Sequence, residues 1–133
     1  MLTLIDLVSL AEDEGLTVTW EDLGARSGEL RPGVIAINSK RCQLTQRVTI
    51  AHELGHYHYG HDWTVAHCRD RDERQADRYA AHLLIDAAEY RQAARLVEDD
   101  PRAVARELGV TARLIDLWIA DQRYQSDKEK VNP

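Results

Sequence analysis

The sequence predicts an α+β fold in which a small antiparallel sheet packs on one long helix and the C-terminal half is helical. This prediction rests first on the order of the patterns along the chain, which runs helix, strands and then helices. A length of 133 residues also suits a single domain with its own core. Finally, 44% hydrophobic and 30% charged residues are typical of a globular protein.

The N-terminal part carries patterns for one helix and two strands. Apolar residues at helical spacing predict a helix over residues 2–14, which Gly15 ends. Alternating β-branched residues predict a strand over 16–20, and the apolar run at 34–37 predicts another. The stretch between the two strands is rich in turn-forming residues. We therefore expect the strands to pair antiparallel in one sheet.

Three helices are predicted in the middle of the chain. The first covers about residues 45–59 and the second about residues 70–84, with a polar loop that contains several histidines between them. A third helix follows to about residue 97, and Asp86 is suited to cap its start.

Two further helices and a tail are predicted at the C-terminal end. Asp100 and Pro101 suit the cap and the first position of a helix that ends at Gly109. Thr111 can cap another helix, which runs to about residue 120. Residues 122–133 are polar, and we expect a frayed tail there. The predicted organisation is one domain over residues 1–121, with a core over 1–86 and C-terminal helices over 87–121.

Charge and hydropathy exclude several classes of function. The net charge of −6 argues against a nucleic-acid-binding surface, which is normally basic. No apolar run is long enough to cross a bilayer, and the N-terminus lacks the basic start of a secretory signal. We therefore expect a cytosolic protein without membrane contact. In that compartment Cys42 and Cys68 are expected to be free thiols, with metal ligation by Cys68 as the alternative.

The predicted helix over residues 45–59 carries a metal-binding motif, His-Glu-Leu-Gly-His at 52–56. Residues four apart lie on the same face of a helix, so His52 and His56 can direct both imidazoles at one tetrahedral zinc ion. Glu53 would lie beside that ion, close enough to take a proton from water there. Gly55 costs about 1 kcal/mol relative to alanine inside a helix, which indicates a close backbone approach. Two ordinary surface histidines are the alternative interpretation.

A catalytic zinc site needs a third protein ligand, and the next helix offers one. Glu73 lies 17 positions after His56, on a helix that can fold back against the first. Asp77 is one turn further on and could accept a hydrogen bond from a metal-bound histidine. One alternative is a solvated acidic helix start, which the helix dipole favours. Another is a site in which His61 is the third ligand.

Three more residues are candidates for the walls of the cleft. His61 and His67 lie on the predicted loop between the helices over about residues 45–59 and 70–84, which carry the candidate ligands. Either histidine could hydrogen-bond the oxyanion formed at an attacked carbonyl. A surface histidine is the alternative for each. Tyr79, on the second site helix, is the third candidate.

Two segments of the chain resemble the ImmA/IrrE family of metallopeptidases. They are RVTIAHELGH at residues 47–56 and ERQADRYAAHLL at residues 73–84. The family pattern is a helix ending in HELGH, then a helix of the form E-x-x-A-(D/N)-x-F-A-x-x-LL. In outline the resemblance covers about residues 1–86. Tyr79 stands where the family usually has phenylalanine, and residues 85–86 are Ile-Asp where it often has Met-Pro.

This resemblance implies a zinc peptidase with assigned residues. His52, His56 and Glu73 would be the zinc ligands, and Glu53 would be the catalytic base. Members of the family are bacterial or phage-borne, and several cleave helix-turn-helix repressors that control mobile-element or stress genes. The implied substrate is such a repressor or another regulatory protein, by analogy alone.

The segment after the predicted core has the spacing of a helix-turn-helix unit. Ala105, Gly109 and Ile115 match the positions for helix approach, turn and core. A DNA-reading second helix should present basic or amide side chains to the groove, whereas this one is acidic beyond Arg113. We therefore favour a helical hairpin that packs on the domain, with contact to DNA or to a partner protein as the alternative.

Together these patterns predict a zinc-dependent endopeptidase with a protein substrate. The alternative is a non-enzymatic zinc-binding regulatory module that contacts a regulator protein or DNA.

Overall fold

A three-stranded sheet and six helices make up the described part of the chain, which is residues 1–61 and 69–131 of a computed structural model. Helix α1 (Leu4–Asp13) precedes strands β1 (Thr17–Glu21), β2 (Gly28–Arg31) and β3 (Val34–Asn38). Helices α2 (Gln43–His58), α3 (Arg69–Leu84), α4 (Ala87–Leu96), α5 (Pro101–Leu108) and α6 (Ala112–Val131) follow. The predicted α+β class with a helical C-terminal half is confirmed.

The predicted antiparallel pairing of the strands near residues 16–20 and 34–37 was wrong. Strand β1 pairs with β3 in the parallel direction, and β2 pairs with β3 antiparallel, so the strand order is β1-β3-β2. Strand β2 was not predicted because Leu30 is its only strongly apolar residue. Gly33, with a φ of 71°, helps to form the tight turn that joins β2 to β3. Since β2 occupies the antiparallel edge of β3, β1 pairs with the opposite edge.

Helix α2 is packed on two sides. The fully buried Ile35 and Ile37 of β3 belong to the same core as Ile50 and Leu54 of α2. At the edge strand β2, Gly28 lies so close to α2 that a side chain there would collide with the Thr49 methyl group. Helix α3 packs along another side of α2. The helix with the predicted metal-binding motif is therefore held between the sheet and α3.

The predicted caps of the C-terminal helices are confirmed. Asp86 accepts a hydrogen bond from the backbone N–H of Glu89, and Asp100 accepts one from Arg102. Pro101 occupies the first turn of α5, and Gly109 ends it with a left-handed φ of 64°. These local signals define where α4 and α5 begin and where α5 ends.

Helix α6 is longer than predicted. It was expected to end near residue 120 before a frayed tail, but it extends to Val131. Residues 121–131 contain no glycine or proline and are rich in Gln, Lys, Glu and Arg, which favour helix even when exposed. This extension is polar, and none of the described helices combines the length and the apolar character needed to cross a bilayer.

Arg47 joins helix α2 to the end of α5. Its side chain is 6% exposed, and its guanidinium donates to the carbonyl oxygens of Leu108 at 3.1 Å and Gly109 at 2.6 Å. It also donates to the carbonyl of Leu2 at 2.6 Å. The last carbonyls of a helix lack the backbone N–H donors that a further turn would provide. Arg47 supplies donors to the carbonyls of Leu108 and Gly109 at the end of α5.

Candidate metal site

Side chains from α2 and α3 converge at one point. The Nε2 atoms of His52 and His56 are 3.0 Å apart. Glu73 of α3 lies against both, with Oε2 at 3.0 Å from His52 Nε2 and Oε1 at 3.1 Å from His56 Nε2. Each of the three residues thus offers one potential ligand atom, and these three atoms lie within 4.8 Å of one another. The four-residue spacing on α2 accounts for the two imidazoles, and the fold supplies the carboxylate.

The donor set of these three residues fits a divalent metal ion. Zinc forms bonds of about 2.0–2.2 Å to imidazole nitrogen and carboxylate oxygen, which in a tetrahedral site puts ligand atoms roughly 3.3–3.5 Å apart. The separations of 3.0 to 3.1 Å found here need an expansion of only a few tenths of an ångström. Two imidazoles and one carboxylate also leave a fourth position open, as catalytic sites require. His52, His56 and Glu73 could therefore hold a metal ion.

Helices α2 and α3 cross in direct contact at Gly55. The atoms nearest to its vacant Cβ position belong to Ala76 and Tyr79 of α3. The close backbone approach expected from this glycine is therefore confirmed. It brings Glu73, one turn before Ala76, to the imidazoles of α2.

Asp77 holds the outer nitrogen of His52. Its Oδ1 lies 2.8 Å from His52 Nδ1, so His52 directs Nε2 toward His56 and Glu73. Its Oδ2 accepts a 2.8 Å hydrogen bond from Arg113 Nε of α6. Burial raises the pKa of Asp77, but the hydrogen bonds from His52 and Arg113 outweigh burial, so the pKa lies below its ordinary value. The carboxylate is thus charged and engaged on both oxygens.

His61 lies behind His56. The two Nδ1 atoms are 2.8 Å apart, and His61 Nε2 lies 3.0 Å from Gln75 Oε1 and 3.4 Å from Asp72 Oδ1. If His56 binds a metal through Nε2, its Nδ1 carries the proton and donates a hydrogen bond to His61 Nδ1. His61 then donates through Nε2 to Gln75 Oε1 of α3. Its position is therefore that of a support for His56, and Glu73 takes the place at which a third ligand would lie.

Glu53 is a buried carboxylate beside the ligand group. It is 5% exposed, and its Oε2 has no hydrogen-bond partner in the described part of the chain. Burial raises the pKa of Glu53 to about 7, with His52 opposing the rise and Glu73 adding to it. A carboxyl group with such a pKa can accept and return a proton near neutral pH.

Tyr79 and Cys42 are not part of the group of potential ligands. Tyr79 packs against Gly55 and has its ring centroid 5.0 Å from that of His58. It lines two surface cavities whose described walls include none of the three potential ligands. His67 and Cys68 lie outside the described residues, and Cys42 is an exposed free thiol at the start of α2.

Three residues around the site were not predicted from the sequence. Asp72 and Gln75 flank Glu73 on α3, and their nearness to it was the one available signal. Arg113 is 36 residues from Asp77 and belongs to a segment whose spacing indicated another kind of unit. Only the packing of α6 on α3 brings it to the site.

Comparisons with known proteins support a specific family. A family model described as the IrrE N-terminal-like domain, Peptidase_M78, matches residues 11–117. A solved structure described as a Mycobacterium tuberculosis transcriptional regulator is similar, with a TM-score of 0.64 and 18% sequence identity. That match covers 88% of this chain but 40% of the other, so this chain spans less than half of its length. At this identity the likeness shows the fold alone. The comparison with curated proteins gave no significant match.

Proposed function

Because the chain belongs to the IrrE N-terminal-like family of metallopeptidase-like domains, Peptidase_M78, we propose that it is a zinc-dependent endopeptidase. The observation that carries the proposal is Glu53, a buried carboxylate one residue after the first of three converging potential ligands. Its Oε2 has no hydrogen-bond partner among the residues that the structure describes. A purely structural metal site would not require such a carboxyl group, because burying an ionisable group that is not fully hydrogen-bonded is unfavourable.

The proposed mechanism divides the work among the residues of α2 and α3. His52, His56 and Glu73 hold the metal. A bound zinc ion would polarise a peptide carbonyl and make water at the site more acidic. Glu53 takes the proton of the attacking water and returns it to the leaving amine as the peptide C–N bond breaks. Asp77 keeps His52 in the tautomer that leaves Nε2 available.

We propose a regulatory protein of a bacterium or phage as the substrate, in particular a helix-turn-helix repressor. The family resemblance supports this choice. A solved structure with a similar fold is described as a transcriptional regulator, which agrees with a role in gene regulation. A substrate of this kind implies action in the cytoplasm.

A non-enzymatic metal-binding regulator is the second candidate, and the name of the similar structure favours it. In that case the metal would stabilise a surface for a regulator protein or DNA. DNA is the weaker choice here. Arg113, the basic residue in the first turn of α6, is paired with Asp77, and the net charge of the chain is −6.

A cleavage assay on purified protein with measured metal content tests the proposal. We expect one zinc per chain and cleavage of a fluorogenic peptide or candidate repressor, lost with a chelator and restored by zinc. Glu53→Gln should retain zinc and lose cleavage by a factor of about 100 to 10,000, the usual contribution of a general base. Glu12→Gln, at an exposed position on α1, is the matched control. A zinc-loaded protein that cleaves equally well with Glu53→Gln would reject the assignment, and one that never cleaves would favour the regulator.

A further inference from the structure

We propose that Arg113 is a positioning residue for the metal site, so that helices α5 and α6 are part of the metal-binding unit rather than a separate helix-turn-helix module. The inference rests on the proposed metal site, because it concerns how His52 is held. It assigns a role to the segment whose spacing resembles a helix-turn-helix unit.

A continuous chain of contacts runs from α6 to the potential ligands. Arg113 Nε donates to Asp77 Oδ2 at 2.8 Å, and Asp77 Oδ1 lies 2.8 Å from His52 Nδ1. The two oxygens of one carboxylate are thus engaged by groups on different helices. A carboxylate held only by His52 could rotate about its side-chain bonds, whereas one held on both oxygens has a fixed plane. Arg113 therefore restricts the direction in which His52 points.

Helix α6 has its own support on α3. Asp121 lies 2.8 Å from His82 Nε2 and 3.6 Å from Arg78 Nε. Leu114 and Ile115, next to Arg113 in the chain, are almost fully buried in the core. The position of the Arg113 backbone is therefore determined by packing that does not depend on Asp77.

The turn between α5 and α6 is also tied to the helix that carries the histidines. Arg47 of α2, five residues before His52, donates to the carbonyls of Leu108 and Gly109 at this turn. Both site helices thus contact the α5–α6 pair through arginine side chains.

The competing interpretation is a surface ion pair without consequence for the site. The Arg113 side chain is 60% exposed, and ion pairs at such positions contribute little to the free energy of unfolding. The two interpretations therefore predict different metal affinities for a variant that lacks Arg113. Loss of Arg113 should leave folding almost unchanged and weaken metal binding, if its task is to hold Asp77.

Zinc affinity of full-length variants, measured by competition with a chromophoric chelator, tests the inference. Removing the direct partner of a metal-bound histidine typically weakens metal binding about 10–100-fold, so we expect that loss for Asp77→Ala. Arg113 acts one contact further away, and we expect Arg113→Ala to lose about 3–10-fold. Arg113→Lys should recover part of this loss because an ammonium can still pair with Asp77. Arg123→Ala, at an exposed position on the same helix, is the matched control and should bind zinc like the wild type.

A double-mutant cycle identifies the route of the effect. If Arg113 acts through Asp77, Arg113→Ala should cause no further loss in the Asp77→Ala background. Cobalt-substituted protein provides a second readout, since its visible spectrum should change in Arg113→Ala and stay unchanged in Arg123→Ala. Wild-type affinity in Arg113→Ala, or an equal loss in both backgrounds, would overturn the inference. These measurements do not depend on cleavage. If the variants show the expected zinc affinities but the protein cleaves nothing, only the peptidase proposal is refuted.

Discussion

A Cβ atom added to Gly55 of α2 would lie 2.9 Å from both the Cα and the carbonyl oxygen of Ala76 in α3. Ordinary contacts of a Cβ atom begin near 3.4 Å, so the backbones of the two helices are closer than any other residue at position 55 allows. This closeness has a direct consequence for the site. Glu73 lies one turn before Ala76, and its oxygens reach the imidazole nitrogens of α2 at 3.0 and 3.1 Å.

Gly55→Ala should therefore weaken zinc binding although alanine is the better helix former. Alanine favours the helix by about 1 kcal/mol, but overpacking typically destabilises by about 1–3 kcal/mol. We expect a lower free energy of unfolding in urea and a lower zinc affinity. Adding Ala76→Gly should not restore either, because the colliding atoms belong to the Ala76 backbone. Wild-type zinc affinity in a folded Gly55→Ala protein would show that the helices can separate without moving Glu73.

Glu53→Gln should stabilise the metal-free protein at neutral and higher pH. The unfolded chain releases the Glu53 proton near a pKa of 4.5, whereas burial in the folded protein raises the pKa to about 7. The folded state thus binds more protons between these values, and the wild type loses stability relative to Glu53→Gln as the pH rises through this window. The full difference, reached above pH 7, is roughly 3 kcal/mol at most.

Urea unfolding in the presence of a chelator, at pH 5 and pH 8, measures this difference. Glu12→Gln replaces an exposed glutamate on α1 and should follow the wild type at both values. If the wild type and Glu53→Gln keep the same stability difference at both pH values, burial of the ionised carboxylate is not destabilising.

Arg47→Met should lower the free energy of unfolding by about 2–4 kcal/mol. Methionine fills a similar volume but leaves the carbonyls of Leu2, Leu108 and Gly109 without their donor, and unsatisfied buried groups are expensive. Arg95→Met, at an exposed position on α4, should change little. Equal stability of Arg47→Met and the wild type would mean that relief from burying the guanidinium compensates for the lost hydrogen bonds.

His61→Ala should weaken zinc binding about 10–100-fold without removing a ligand. The substitution deletes the contact of His61 Nδ1 with His56 Nδ1, which helps to fix the ring orientation and the tautomer of His56. His58→Ala, at the exposed end of α2, is the control for loss of an imidazole. Chelator competition compares the two, and an affinity unchanged by His61→Ala would show that His56 is held sufficiently by other contacts.

Features that depend on near neighbours in the chain could be predicted from the sequence. The spacing of His52 and His56 puts their rings together because one helical turn separates them. The caps of α4 and α5, with Gly109 after α5, follow from hydrogen bonds within a few residues. The extension of α6 to Val131 differs from the predicted frayed tail because its residues, although polar, favour helix locally.

Features that depend on residues far apart required the tertiary structure. The sequence by itself determined the two-histidine motif, the buried-strand character of β3 and a second helix that carries Glu73 and Asp77 one turn apart. Packing alone decided that β1 pairs parallel to β3, that His61 supports His56, and that Arg113 reaches Asp77 from α6. The physical reason is that helical periodicity and capping act over a few residues. Strand pairing and contacts between helices instead depend on which surfaces the whole chain buries together.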